Sequence, residues 1–317
     1  MSPKKTKKFA VAAIIVAAAA LCIYLLWQPA QALYRHITHT PDKNGLYAIQ
    51  GYWFDVLSPL DEASAKKFAQ KINYLQSTYL AENPNVFFAL VPDKGYFVKD
   101  VGYPTLDYTK LLSLLQSEID PHVTSVSLLD KLQLSDYYQT DTHWRQDKLD
   151  GVMQALASAM DFSWDETRYT PHVRQDFVGA LQKRTEKAMP PEELIYLTSE
   201  SIDSATVENY QKPDFTDVYD LQLLDTTNAY DVYLSGVSPL ITVYSPHAST
   251  TRELVIFRDS YASSLAPLFL DTYRTVTLID LRFMDSRTLT EYITFSPEQD
   301  ILFLYSTWVV NNSAMLR

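Results

Sequence analysis

Cysteine and glycine are both scarce in this sequence of 317 residues, and each shortage excludes a kind of chemistry. Cys22 is the only cysteine, so the chain has no internal disulfide and must be stabilised by a packed core. The seven glycines include no pair with the spacing of a dinucleotide-binding loop or a phosphate-binding P-loop. Hydrophobic residues make up 47% of the chain, which is enough for one large domain or two small ones.

The N-terminus predicts a membrane anchor. Four lysines within residues 1–8 precede an uncharged stretch of 19 residues, 9–27, and a helix of about 20 apolar residues crosses a bilayer. Because basic flanks stay inside the cell, we expect the chain to span the cell membrane once, with its N-terminus cytoplasmic. The alternative is a cleaved signal peptide, since Ala30-Gln31-Ala32 resembles a cleavage site, but the stretch exceeds the usual length. The resulting division is a tail at 1–8, an anchor at 9–27, a stalk at 28–44 and an extracellular domain at 45–317.

Positive charge is also in short supply. Lysine and arginine number 27 against 38 aspartates and glutamates, which gives a net charge of −11. The part beyond the predicted anchor lacks the four N-terminal lysines and is more acidic still. An acidic domain repels phosphate backbones, so we expect no nucleic-acid partner. It would also repel an anionic polymer, unless the binding cleft is locally basic.

Helix and strand patterns alternate along the predicted domain. Apolar residues recur at helical spacing from Asp61 to Leu80, and the continuous apolar run 86–91 predicts a buried strand. Such alternation predicts an α/β fold, with a parallel sheet covered by helices and ligands bound at the carboxyl ends of its strands. The other expected elements are strands at 123–128, 254–257, 276–281 and 301–305, and helices at 108–119, 149–160, 262–270 and 288–292.

Residues 165–250 depart from this alternation. They hold segments bounded by prolines and Tyr-rich alternating runs such as 218–223. Alternation with a period of two is typical of strands, so we predict a β-rich insertion here.

Two short peptides supply an acid, a base and a nucleophile. Asp141 and His143 lie two residues apart, and in an extended or turn segment the carboxylate can reach Nδ1 of the imidazole. Ser260 follows a predicted strand and precedes a helical stretch, so its Oγ is exposed at the sheet edge and its N–H can stabilise an oxyanion. The alternative is that Asp141, Asp259 or Ser260 only caps a helix. His247 is an alternative base.

Four more side chains are candidates for substrate binding: Trp144, Arg258, Arg282 and Tyr305. Trp144 would shape an acyl or sugar pocket, although an aromatic residue before a helix is also typical of a core. The two arginines follow strands and would bind a sugar carboxylate or a phosphate; the alternative is an ion pair with Asp259 or Asp280. The sequence holds no cluster of metal ligands, so we predict neither a metal nor a cofactor.

The segment 137–144, Tyr-Tyr-Gln-Thr-Asp-Thr-His-Trp, resembles the signature of the DHHW family, which are exported proteins of Gram-positive bacteria. It is also similar to the Asp-x-His-Trp motif of alginate O-acetyltransferases. The segment 257–261, Phe-Arg-Asp-Ser-Tyr, resembles the nucleophile block of the same group, and residues 304–313 resemble the C-terminus of DHHW proteins. The resemblance covers residues 45–317. It implies an SGNH-hydrolase-like, flavodoxin-like parallel sheet that is circularly permuted, since Asp and His precede Ser.

The resemblance also implies roles. Ser260 would be the nucleophile, His143 the base and Asp141 the acid that orients it. Position 142 is Thr where the family name expects His, and Arg258 stands where SGNH proteins typically have Gly. After the last strand, Ser306-Thr307-Trp308 replaces the expected Gly-x-Asn, so the usual Asn oxyanion donor is missing. Asn311 is then a candidate substitute, besides the N–H of Ser260.

We therefore expect an extracytoplasmic O-acetyltransferase or O-acetylesterase that acts on a cell-surface or secreted glycan. A transferase would work beside a multi-spanning membrane acyltransferase, a partner that the resemblance alone implies. The alternative is a non-catalytic glycan-binding or scaffolding subunit of a complex that modifies envelope polysaccharides. The missing Asn donor favours that alternative.

Overall fold

The computed structural model describes residues 37–317 continuously and, before them, residues 16–18, 21, 25, 27, 30 and 33–35. The predicted tail, Cys22 and most of the predicted anchor at 9–27 lie outside these residues. Among the residues that are described, no helix is both long enough and apolar enough to cross a membrane.

A mixed α/β architecture is built around one sheet of seven strands, in the order β4-β3-β11-β9-β10-β8-β7. The five strands from β4 to β10 are parallel to their neighbours, whereas β8 pairs antiparallel with both β10 and β7. The pairs β1–β2 and β5–β6 form separate antiparallel hairpins. The strands are β1 Leu46–Ile49, β2 Tyr52–Asp55, β3 Val86–Val91, β4 Thr124–Val126, β5 Thr170–Phe177, β6 Glu192–Thr198, β7 Thr206–Asn209, β8 Leu240–Tyr244, β9 Glu253–Arg258, β10 Thr275–Ile279 and β11 Asp300–Ser306.

Six α-helices lie in the part of the chain from residue 37 onward. They are α1 Glu62–Tyr79, α2 Tyr108–Glu118, α3 Asp150–Met160, α4 Glu200–Asp203, α5 Tyr261–Leu265 and α6 Thr307–Asn311. Asp61 begins α1 by accepting a hydrogen bond from the Ser64 N–H, and Asp107 caps α2 in the same way. The long helices and most of the strands therefore stand where the sequence predicts them.

Both faces of the central sheet are buried, as the continuous apolar runs of β3, β9 and β11 require. Phe87, Ala89 and Val91 of β3 pack into one core with α3, while Val86, Phe88 and Leu90 pack into a second core with α1 and α2. Strands β9 and β11 divide their side chains between the same two cores. This burial fixes the strand register, because a shift by one residue would exchange the two faces.

The prediction of a β-rich insertion at 165–250 is confirmed in part. The hairpin β5–β6 is formed, but β7 and β8 join the central sheet and extend it. The run 218–223 is not a strand. Tyr219 makes one isolated bridge to Tyr233, and the chain then enters a 3₁₀ turn at Leu221–Asp225.

Two predicted helices near the C-terminus are shorter than expected. Helix α5 ends at Leu265 and continues only as a 3₁₀ turn, Ala266–Phe269, which contains Pro267. Proline lacks the N–H that an α-helix would use at this position, so the regular helix stops. The expected helix at 288–292 is a single 3₁₀ turn, Leu289–Glu291.

The stacked aromatic pair at the centre of the sheet predicts a large loss of stability on truncation. Phe303 of β11 is fully buried, and its ring centroid lies 4.8 Å from that of Phe257 on β9. Phe303→Ala should lower the free energy of unfolding by about 3–5 kcal/mol, because it leaves a cavity between two strands. The control Phe283→Ala, at a position 45% exposed, should change it by no more than about 0.5 kcal/mol in the same denaturant titration. Equal effects would contradict the assignment of this core.

Candidate active site

The acid and base lie at the tip of a tight loop. An isolated antiparallel bridge joins Tyr137 to Trp144, and inside it the Tyr138 N–H donates to the His143 carbonyl at 3.1 Å. The residues at the tip, 140–143, are thereby turned back toward the carboxyl ends of the sheet strands. We call residues 137–144 the motif loop. Its shape is set by hydrogen bonds within the loop, independently of its contact with Ser260.

Asp141, His143 and Ser260 form a continuous hydrogen-bonded chain. The Nδ1 atom of His143 lies 2.6 Å from Oδ1 of Asp141, and its Nε2 lies 2.7 Å from Oγ of Ser260. A carboxylate only accepts, so Nδ1 carries the proton toward Asp141 and Nε2 is left to accept from the serine hydroxyl. The structure therefore brings together three residues that the sequence singles out from segments 117 residues apart.

Asp141 is an ionised carboxylate in the interior of the protein. It is 1% exposed, and burial alone would raise its pKa. Three interactions outweigh burial and hold the pKa below its usual value: the electrostatic attraction of the His143 ring, hydrogen bonds from the His143 ring and N–H, and a hydrogen bond from the Ala180 N–H at 2.7 Å. The carboxylate consequently keeps its charge, and with it the orientation of the imidazole.

Ser260 stands at the junction of β9 and α5. Its backbone is already in the right-handed helical region, with φ of −63°. The preceding Asp259 fixes this junction, since Oδ1 accepts from the Tyr261 N–H and Oδ2 from the Ser306 N–H at the end of β11. The structure shows that Asp259 has the capping function and that Ser260 is free to face His143.

Trp144 ties the motif loop to the helix that follows the serine. Its indole N–H lies 3.0 Å from both the Tyr261 carbonyl and Oγ of Ser264, and the Tyr261 hydroxyl donates to the Thr142 carbonyl at 2.7 Å. Trp144 is fully buried. The prediction that Trp144 shapes a substrate pocket is therefore wrong, because its ring and its N–H are used inside the core.

Tyr230, in the insertion, packs directly on the base. Its ring lies parallel to the His143 imidazole, with centroids 3.8 Å apart and planes 9° from parallel. The Tyr230 hydroxyl is paired with Oγ of Ser264 at 2.9 Å, so the ring has little freedom to move. Tyr230 limits the motion of the imidazole on one face. No pattern in the sequence indicates this contact, because nothing distinguishes Tyr230 from the other tyrosines, of which the chain has 22 in all.

A buried lysine and a partly buried glutamate hold the backbone of the motif loop. The Lys94 ammonium is 4% exposed and donates to the carbonyls of Tyr138 and Gln139, at 2.9 and 3.3 Å. The Glu192 carboxylate accepts from the N–H groups of Gln139 and Thr140 and from the Thr140 hydroxyl. Burial lowers the pKa of Lys94 to about 7, against the opposing charges of Asp141 and Glu192. Sequence reasoning missed both residues, because neither lies in a recognisable motif.

Gly179 is the close neighbour that the motif loop requires. A Cβ at this position would lie 2.6 Å from the Thr140 carbonyl oxygen and 2.7 Å from Cα of Asp141. Its φ is −76°, so the need for glycine comes from space and not from backbone conformation. This close approach lets the next residue, Ala180, present its N–H to Asp141.

A small cavity of about 40 Å³ adjoins the hydrogen-bonded chain. Its walls include Thr142 and Tyr261, the neighbours of the base and of the nucleophile, together with Asp93 after β3 and the half-exposed Trp308. Burial raises the pKa of Asp93, although hydrogen bonds from Thr307, Tyr108 and Gly95 act in the opposite direction. Trp308 stands where the Gly-x-Asn pattern has its Asn. Its aromatic ring lines the cavity, so this position provides no side-chain amide as an oxyanion donor.

Two predicted substrate-binding residues are enclosed by the protein. Arg258 and Tyr305 are 0% and 1% exposed, and Arg258 donates to Oγ of Ser263 with Asp280 3.9 Å away. The structure therefore contradicts the predicted binding roles of Arg258 and Tyr305, because neither side chain reaches the surface. Arg282 is partly exposed and forms two hydrogen bonds with Asp280, of 2.9 and 2.6 Å, so both arginines make the ion pair that was the alternative; a binding role for Arg282 stays a prediction.

Asn311 does not replace the missing oxyanion donor. Its side-chain N–H group donates to the carbonyls of Leu57 and Pro59, at 3.0 and 3.1 Å, and its oxygen accepts from the Asp61 N–H. The prediction is wrong because the amide is used in full to attach α6 to the segment before α1.

The other histidines are placed elsewhere. His247 lies 3.5 Å from Glu200, so it is not the base beside Ser260. The imidazole that accepts from the Ser260 hydroxyl is that of His143. His122 reproduces the spacing of the motif, since its Nδ1 lies 2.8 Å from Asp120, but it is exposed and its hydrogen bonds involve Asp120 alone. No group of three or more metal-ligating side chains was found within the part of the chain described above.

The fold is a mixed α/β architecture around a mostly parallel sheet of seven strands, and several solved structures share it. A DHHW family protein from Eubacterium siraeum DSM 15702 superimposes with a TM-score of 0.68 and 19% identity, over 86% of this chain and 94% of that one. PatB1 from Bacillus cereus, solved with a sulfonyl adduct, gives 0.65 and 16%, over 84% and 97%. The O-acetyltransferase domain of AlgJ from Pseudomonas putida gives 0.51 and 11%, over 84% and 92%.

These identities establish the fold alone. The resemblance to the DHHW family and to an O-acetyltransferase domain, which two motifs predict, is confirmed at that level. No family model matches the sequence, and no curated protein does.

The close approach at Gly179 predicts that one methyl group disturbs the acid. Gly179→Ala should displace Asp141 and reduce the reactivity of Ser260 toward a sulfonyl fluoride by on the order of 100-fold, as a misplacement of about 1 Å does elsewhere. Intact-protein mass spectrometry measures the adduct over time. Gly151→Ala is the control, because a Cβ at position 151 would also lie close to a carbonyl oxygen, 2.9 Å from that of Lys131. Gly151 is at the start of α3, away from Asp141. It should destabilise the fold and leave the reactivity unchanged; equal loss in both variants would contradict the prediction.

The buried Lys94 predicts a specific pH dependence of stability. The side chain loses its proton at about pH 7 when folded and near pH 10.5 when unfolded, so the unfolded chain binds more protons between these values. The free energy of unfolding of the wild type should therefore rise relative to Lys94→Met from pH 7 to pH 10, by at most about 1.4 kcal/mol per pH unit. The exposed Lys99→Met is the control. A Lys94→Met difference that is flat over this range would show that Lys94 keeps an ordinary pKa.

Proposed function

We propose that this chain is a serine-dependent O-acyltransferase or esterase that transfers or removes acetyl groups on a glycan. The observation that carries the proposal is the unbroken hydrogen-bonded chain from Asp141 through His143 to Ser260, at distances of 2.6 and 2.7 Å. Such a chain is the arrangement that activates a serine hydroxyl. The fold shared with an O-acetyltransferase domain supports the reaction class. We infer that the fold is SGNH-like and circularly permuted, because acid and base precede the nucleophile in the sequence.

In the first half-reaction Ser260 Oγ attacks the acyl carbonyl while Nε2 of His143 takes the hydroxyl proton. Nδ1 stays protonated and bonded to Asp141, which stabilises the imidazolium that forms. The tetrahedral intermediate then collapses, the bond to the donor oxygen breaks, and His143 returns the proton to that oxygen. The products are the released donor alcohol and an acyl ester on Ser260.

The oxyanion donor in this scheme is the N–H of Ser260 itself. The next three N–H groups of the turn, those of Tyr261, Ala262 and Ser263, already donate to Asp259 or Ser260 oxygens, at 3.1, 3.2 and 3.1 Å. The cavity of about 40 Å³ beside Thr142 and Tyr261 suits a small acyl group such as acetyl.

In the second half-reaction an acceptor hydroxyl takes the place of the donor. Nε2 of His143 removes its proton, the acceptor oxygen attacks the acyl ester, and the proton returns to Ser260 Oγ as the ester bond breaks. A sugar hydroxyl as acceptor gives transfer, and water gives hydrolysis. The partner proposed for transfer is a multi-spanning membrane acyltransferase that delivers the acyl group, a proposal that rests on the motif resemblance.

The anchor at residues 9–27 and an extracellular location are proposals that rest on the sequence alone. They place the domain on the face of the membrane where surface glycans are assembled. A purified chain with and without residues 1–27, tested for recovery with the membrane fraction, would show whether this segment is the anchor.

The second candidate is a glycan-binding subunit without turnover. The observation that favours it is the occupied amide of Asn311, because it leaves a single assigned oxyanion donor. Removal of one such donor costs on the order of 10²–10³-fold in rate in other enzymes.

The triad predicts a clear pattern among variants. Ser260→Ala and His143→Ala should each reduce turnover of 4-nitrophenyl acetate by roughly 10⁴-fold and abolish acetylation of the intact protein, because each removes a partner of the same proton transfer. His122→Ala is the matched control, since His122 has the same Asp-x-His pairing but no serine. Circular dichroism would verify folding of each variant. Turnover that survives in folded Ser260→Ala would exclude the proposed nucleophile and favour the binding subunit.

A further inference from the structure

A concave, basic groove runs along one side of this acidic protein. It measures about 700 Å³ and lies between the segment at the start of the domain and the segment after β5. Its acidic members are Asp42 and Glu186 only. The cationic side chains that line it are Arg35, Lys43, Lys183, Arg184 and Lys187. A local excess of positive charge in a chain of net charge −11 is the condition under which an acidic protein can take an anionic ligand.

The groove is a built feature and not a chance cluster of mobile side chains. Arg184 bridges its two walls, since it pairs with Asp55 and donates to the Asn44 carbonyl at 2.8 Å. The Asn44 amide in turn donates to the Arg184 carbonyl at 2.6 Å. These bonds fix the width of the groove before any ligand binds, so less ordering is needed on binding.

The three lysines of the groove are exposed, and in the region that the structure describes none of Lys43, Lys183 and Lys187 forms an ion pair with a carboxylate. Lys183 donates one hydrogen bond to the Asn228 side-chain oxygen, which leaves its other two N–H groups for a ligand. The Lys187 ammonium lies 5.8 Å from the ring centroid of Trp53, at the edge of an adjoining hollow of about 180 Å³ that also contains Tyr47. Cationic donors beside an aromatic surface provide both charge and a flat apolar face.

One wall of the groove begins at the motif loop, and Trp53 of the adjoining hollow contacts the same loop. The Trp53 N–H donates to the Gln139 carbonyl at 2.8 Å, and the 3₁₀ turn Ala180–Arg184 starts at the N–H that binds Asp141. With a rise of about 2 Å per residue, this turn carries Lys183 roughly 6 Å from Ala180. The groove is therefore connected to the acid by one short turn of the backbone.

We propose that this groove binds the acceptor glycan and that the glycan is anionic, with carboxylate or phosphate groups that contact Lys183 and Lys187. The role of the glycan as acyl acceptor rests on the proposed function, whereas binding of the glycan to the groove does not require turnover. The concave shape and the continuity with the motif loop favour a polymer strand over a flat membrane surface.

The test measures binding with the full-length chain in non-ionic detergent, carrying Ser260→Ala so that no reaction occurs. Oligogalacturonate, a poly(glycerol phosphate) and a neutral β-glucan oligosaccharide serve as probes in calorimetry. One or both anionic probes should bind, more weakly as salt rises, and the neutral probe should not. Lys183→Gln/Lys187→Gln should weaken binding by about tenfold, whereas Lys66→Gln/Lys67→Gln on the exposed face of α1 should not. Equal binding of neutral and anionic probes, or no effect of the groove variant, would overturn the proposal.

Two further results separate the alternatives. If the groove variant instead loses binding only to phosphatidylglycerol vesicles, relative to phosphatidylcholine vesicles, the groove is a lipid-headgroup site and the glycan proposal fails. In the active chain, the groove variant should raise KM for the anionic acceptor and leave kcat unchanged. Anionic binding without any turnover in the active chain would refute the proposed function and leave the groove assignment intact.

Discussion

A single buried carboxylate sets the conditions for the rest of this site. Asp141 is almost fully enclosed, and an isolated charge there would cost several kcal/mol. The carboxylate is stabilised by hydrogen bonds from the His143 ring and from the backbone N–H groups of His143 and Ala180. These donors belong to two segments, the motif loop and the turn at Ala180, which must pack together. The loop geometry, Gly179 and the turn that follows it are therefore all needed to stabilise the charge of Asp141.

The site is assembled by cross-links between segments far apart in the sequence. The Trp144 indole donates to the Tyr261 carbonyl, and the Tyr261 hydroxyl donates to the Thr142 carbonyl, so the motif loop and α5 are joined twice. Lys94 donates to carbonyls of the same loop, and Glu192 accepts from its N–H groups. The sheet supplies the rigid base, because β3, β9 and β11 end side by side beneath these loops. The position of the Ser260 hydroxyl therefore depends mostly on the packing around it.

The sequence predicts well whatever depends on local pattern. The apolar runs of β3, β9 and β11, the cap at Asp61 and the pairing of Asp141 with His143 are all local, and the structure has them. Trp144 and Arg258 could not be assigned from pattern, because whether a polar tip faces a cleft or a buried partner is decided by tertiary packing. Tyr230 could not be predicted at all, since its contact with His143 depends on an insertion whose path no periodicity determines.

The order of strands in the sheet has a consequence for how the chain is made. Strand β11 is the middle one of the five parallel strands, and it lies between β3 and β9 although it comes after both in the sequence. A nascent chain that stops before residue 300 presents β3 with an open edge and exposes apolar side chains on both of its faces. Because the pairing of β11 with β3 joins residues more than 200 positions apart, folding of the sheet must wait until residues 300–306 are made and will be slow. A truncation before residue 300 would therefore remove a strand from between β3 and β9, and it would be far more damaging than the loss of an edge strand such as β4.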